Sequence, residues 1–116
     1  MPKGFVVALA LVLWTALAIM PARAEEDIRS ANYLLPHCTP VGTPVSDYYL
    51  AGKCDGVIDA AIGMMQMNRE VCLPNGVTGG QAKRVVTRYA DLNPTLTHLP
   101  FLVLVMTALR EVWPCK

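Results

Sequence analysis

Apolar residues recur at steps of three and four along three long stretches of the chain, and each stretch predicts a helix. From about Pro44 to Met67 the stripe is Leu50, Cys54, Val57, Ile58, Ala61, Ile62 and Met65. After Thr78 a further helix should bury Ala82, Val85, Val86, Tyr89 and Leu92 and show Lys83, Arg84 and Arg88 to water. The last stretch starts at Thr97 and is apolar on nearly every side. Leu99, Leu102, Val103, Met106, Leu109 and Trp113 make one stripe; Phe101, Leu104, Val105, Ala108 and Val112 make another. Such a helix is central to a core or lies at a subunit interface. A shorter pattern, Ile28, Ala31, Leu34 and Leu35, comes first and stops near Pro36. No strand alternation or repeat interrupts the series, so the expected fold is all-α, a small domain of four helices.

Punctuation supports these bounds. Thr39 to Pro44 is a loop by composition, and Thr43-Pro44 can start the second helix, threonine capping and proline in the first turn. Pro74 and Gly76 mark a turn. Thr78-Gly79-Gly80-Gln81 then forms a capping box, with Val77 and Ala82 placed as a hydrophobic staple. Asn93-Pro94 ends the third helix and Pro114 the fourth. Within the second helix Gly52, Gly56 and Ala60 stand four apart, with Gly63 close by. Each glycine costs a helix about 1 kcal/mol, so the row predicts a tight helix crossing.

The first residues change the picture. Lys3, the apolar run Phe5 to Ile19 broken by Thr15, and the small-x-small Ala22-Arg23-Ala24 ahead of Glu25 predict a secretory signal over residues 1–24. The run is shorter than the roughly 20 residues a spanning helix needs. Cleavage after Ala24 should therefore leave one domain, residues 25–116, exported and without stable membrane association. Lys3 and Arg23 leave with the signal, so a chain of 10 basic and 9 acidic residues becomes slightly acidic. That balance gives no electrostatic footprint for nucleic acid.

All four cysteines, Cys38, Cys54, Cys72 and Cys115, fall in the exported part. An even count in a small exported domain predicts two disulfides, and the absence of a Cys-x-x-Cys disfavours a metal site. Three pairings are open. Antiparallel third and fourth helices would bring Cys115 beside Cys72, which leaves Cys38 for Cys54.

Chemistry is sparse. His37 neighbours Cys38, but a cysteine committed to a disulfide is no nucleophile. His98 stands at the expected start of the fourth helix. Asp55 and Asp59 share a helix face, and acid–base work on a substrate would also need a cleft. Gly79-Gly80 could face an anion, without a phosphate motif around it. Met64, Met65 and Met67 suit packing better than a binding surface. No catalytic, cofactor or metal residue is expected, and the chain does not read as an enzyme.

Several of these pieces together resemble a known family. Tyr49-Leu50-Ala51-Gly52-Lys53-Cys54-Asp55-Gly56-Val57-Ile58, Val71-Cys72-Leu73-Pro74-Asn75-Gly76-Val77-Thr78, and the closing Trp113-Pro114-Cys115 are similar to the Rap/Tai immunity proteins of type VI secretion. The resemblance extends through Asn93-Pro94 and His98-Leu99-Pro100. It implies a periplasmic protein that binds and neutralises an effector toxin, commonly a peptidoglycan amidase, through a homodimer and a loop entering the effector's groove. The loop that corresponds here runs from Asp91 through Asn93, Pro94, Thr95, Leu96 and Thr97 to His98; Leu96 either inserts into the effector or folds back onto the third and fourth helices. The alternative is a periplasmic acid-stress chaperone of the HdeA type, also small, helical and disulfide-bonded.

Overall fold

The computed structural model describes residues 27–38 and 45–116, with side chains described from Tyr48 onward in the second segment. The expected signal and the whole of the expected Thr39–Pro44 loop lie outside them. Among the described residues there are four α-helices and no strand: α1 (Ala31–Leu34), α2 (Val45–Met67), α3 (Gly79–Leu92) and α4 (Phe101–Val112). Short 3-10 turns at Leu35–His37 and Pro94–Leu96 follow α1 and α3.

Each helix starts and stops for a local reason. Ser30 caps α1, its Oγ accepting from Tyr33 N at 3.3 Å and donating to Asp27 O at 2.8 Å. Thr78 caps α3 as the capping box predicts, accepting from Gln81 N at 3.1 Å. At the end of α2, Glu70 N donates to Met65 O and Arg69 N to Gln66 O. These two bonds form a Schellman motif, which needs a left-handed residue; Arg69 supplies it at φ 55°.

Helix α4 is the centre of the domain, packing against α1, α2 and α3. Its Phe101, Leu104, Val105, Ala108 and Leu109 are buried. They meet Ile58, Ala61 and Met65 of α2, Ala82, Val86 and Tyr89 of α3, and Leu34 of α1 in one core. Two expectations about α4 need correction. It begins at Phe101 with Pro100 at the cap position, not at Thr97, because Thr97 is spent in the preceding turn. Nor is it covered on every side: Leu109 joins Phe101, Leu104, Val105 and Ala108 in the core, while Leu102 and Val103 of the first stripe and Val112 of the second form an uncovered stripe, 42–46% exposed.

The glycine row is a further correction. Gly52, Gly56, Ala60 and Gly63 face solvent, and a Cβ at any of the three glycines would meet nothing within 4 Å. No helix crosses there within the described residues, because the buried stripe of α2 runs along its opposite side. The methionine cluster divides in the same way: Met65 is buried, while Met64 and Met67 are 40% and 83% exposed.

Both disulfides form with the pairing the helix layout favours. Cys38–Cys54 joins the end of the first turn to α2, with Cα atoms 5.5 Å apart. Cys72–Cys115 joins the α2–α3 connection to the segment after α4, at 4.9 Å. With sequence separations of 16 and 43, chain-entropy estimates give about 3 and 4 kcal/mol.

Candidate functional site

The α3–α4 link is built as a rigid tip. Asn93 Nδ2 donates to Tyr89 O at 2.9 Å and so closes the open end of α3. Leu96 N donates to Asn93 O and Leu99 N to Leu96 O, both at 3.0 Å. Thr97 Oγ1 donates to Pro94 O at 2.9 Å. His98 Nδ1 lies 2.9 Å from Thr95 O; a carbonyl only accepts, so this nitrogen carries the proton and Nε2 points elsewhere.

A second set of bonds locks the tip to the start of the domain. Ala31 N donates to Leu99 O, Asn32 N to Thr97 O and Phe101 N to Arg29 O, at 2.7–2.9 Å. Ser30 and Pro100 form an isolated antiparallel bridge. The Cys38–Cys54 disulfide then fixes this clamping segment to α2. A partner meeting the tip finds it already ordered, and little conformational freedom is lost on binding.

The seven residues expected in the loop are brought together, but they do not all face outward. Asp91, Pro94, Thr95 and His98 are exposed; Asn93 and Thr97 are half-buried and occupied by the bonds above. Leu96 packs against the core. This is the fold-back expected of it as one alternative. Leu92, by contrast, is 70% exposed at the end of α3. The spacing of three from Tyr89 suggested a core position for it. At 3.6 residues per turn, however, Leu92 lies about a third of a turn from the centre of the Ala82–Val86–Tyr89–Ala90 stripe. Ile28, 53% exposed, is on the turn that clamps Phe101 and adds a second apolar side chain at this end.

The remaining sequence candidates acquire structural roles. Lys83 Nζ bonds Asp55 Oδ1 at 2.7 Å, tying α3 to α2. Asp59 Oδ1 sits 3.5 Å from where a Gly79 Cβ would be. A side chain of the protein itself thus stands beside the first turn of α3. These residues line an open groove of about 190 Å³. His37 stacks at a tilt on Tyr33, with ring centroids 6.0 Å apart, and Cys38 is in its disulfide. Among the described residues no group of three His, Cys, Asp or Glu side chains could hold a metal ion, and no helix is long and apolar enough to cross a membrane.

The family model of the Rap1a immunity proteins aligns with residues 30–115. No curated protein and no solved structure matches. The aligned span opens on Ser30, the cap of α1, and closes on Cys115, the last disulfide cysteine, so it takes in the structural features described above except those of Asp27, Ile28 and Arg29. The chain belongs to the Rap1a immunity protein family.

Proposed function

We propose that this type VI secretion immunity protein acts in the periplasm, after removal of residues 1–24, by plugging the active-site groove of a peptidoglycan amidase with its α3–α4 tip. Family membership supports a toxin effector as the partner. The observation that carries the finer reading is the tip itself: a bonded, clamped link that holds Leu92 out at 70% exposure. Its mode of action is occlusion, with no bond made or broken in the target. Asp91, Thr95 and His98 are exposed in the same segment and supply the polar rim to the Leu92 anchor in this proposal.

The uncovered stripe of α4 serves a homodimer in this proposal. Leu102, Val103 and Val112 are exposed and Met106 is half-buried, all on a helix whose other face is core. Export is supported by the sequence of the first 24 residues and by two disulfides, which persist in oxidising compartments. The test is co-expression of the full chain with a periplasm-directed amidase effector encoded beside it. Growth should be rescued by the full chain and not by residues 25–116 kept in the cytoplasm. Equal rescue by both would overturn the site of action, and rescue by neither would overturn the amidase as target.

A further inference from the structure

The two disulfides differ in a way that the immunity function does not use. Cys38 and Cys54 are both 0% exposed and belong to the core cluster. Cys72 is exposed and Cys115 half-buried. We propose that Cys72–Cys115 is a thiol–disulfide exchange site of the folded protein, open to an external dithiol, while Cys38–Cys54 is closed to it.

Cys72 stands at the surface, where an external thiolate can reach it, whereas the other pair is enclosed. Exchange needs in-line approach to a sulfur, and the packed core around Cys38 and Cys54 blocks it until the domain opens. At the other pair, the thiolate of the dithiol attacks Cys72 Sγ and the Cys72–Cys115 bond breaks. Cys115 leaves as a thiolate and takes up a proton, and Cys72 is held in a mixed disulfide. The second thiol of the dithiol then attacks its own partner's sulfur, releasing Cys72 as a thiol and leaving the dithiol oxidised. Two electrons pass from the dithiol to the protein disulfide.

The clasp around the opened pair survives. Cys72 N donates to Trp113 O at 3.0 Å, Val71 bridges Pro114, and Arg110 pairs with Glu70. Trp113 also packs on the core. These contacts keep the two thiols adjacent, so the reverse exchange, in which the oxidised dithiol takes the two electrons back, recloses the pair and the site is reversible. The α3–α4 tip is held by separate bonds from Arg29, Ala31 and Asn32, behind the closed disulfide. Opening Cys72–Cys115 therefore leaves the tip in place.

Timed exposure of the oxidised, folded protein to dithiothreitol, quenched with iodoacetamide and peptide-mapped, tests this. Cys72 and Cys115 should be alkylated at least about 100-fold sooner than Cys38 and Cys54, since the buried pair waits for global opening. Far-UV circular dichroism should hold through the first phase, and glutathione in place of dithiothreitol should leave its adduct on Cys72. Simultaneous reduction of the two pairs, helix loss in step with the first phase, or an adduct confined to Cys115 would each overturn the proposal.

Discussion

Leu92 and Leu96 stand four residues apart and separate two accounts of the tip. Leu92 is 70% exposed, whereas Leu96 is packed on the core. Full burial of a leucine is worth about 1.5–3 kcal/mol. Covering the exposed part of Leu92 in a partner's groove therefore contributes about 1–2 kcal/mol. Truncation in Leu92→Ala should weaken effector binding roughly 5- to 30-fold. The free protein loses almost nothing, because an exposed side chain has few contacts to give up, and its stability should change by less than about 0.5 kcal/mol. Leu96→Ala should do the reverse in the first instance, costing about 1–3 kcal/mol of stability through a partial cavity. Thermal unfolding and titration calorimetry on both variants give the four numbers needed. Leu92→Ala with unchanged affinity, beside a folded Leu96→Ala that binds poorly, would refute the assignment.

Three further substitutions probe other parts of the account. Gly56→Ala should stabilise the protein by up to about 1 kcal/mol in thermal unfolding, because the added methyl meets open space; a lower melting temperature would mean that something packs on the row. Arg69→Gly should add about 0.5–1 kcal/mol by relieving the left-handed backbone at the end of α2, and an unfolding curve that does not move would contradict that. Val103→Asp places a charge on the uncovered face of α4 and should turn a dimer into a monomer in sedimentation analysis without loss of helicity; an unaltered mass would exclude this face.

Much of the fold was legible in the sequence because local signals agreed with one another. The capping box at Thr78, the stripe ending at Met65 and the prolines at Pro36 and Pro114 all act within a turn or two of themselves. The disulfide pairing followed from a single long-range inference, the antiparallel lie of α3 and α4. What local pattern could not supply was the identity of the neighbour. The glycine row has a helical spacing suited to a close crossing, yet spacing is silent on which side of α2 the core lies. Similarly, Leu92 and Leu96 both sit at plausible core or tip positions. Only the clamp from Arg29, Ala31 and Asn32, contacts about 65–72 residues away in sequence, decides which of them turns inward. Nothing near Thr97 signals that clamp, which is also why α4 starts four residues later than its composition suggests.

Neutralisation by occupancy, one domain to one active site, predicts a stoichiometric end point. It is measured by titrating the purified, oxidised protein into a fixed amount of amidase effector, with release of peptidoglycan cross-bridge peptides as the readout. Activity should fall in proportion to added protein and reach zero at equivalence, with a stable complex recovered by gel filtration. Full activity at a large excess would contradict the account, as would loss of activity at a small fraction of equivalence, which would mean that the chain turns over as a catalyst.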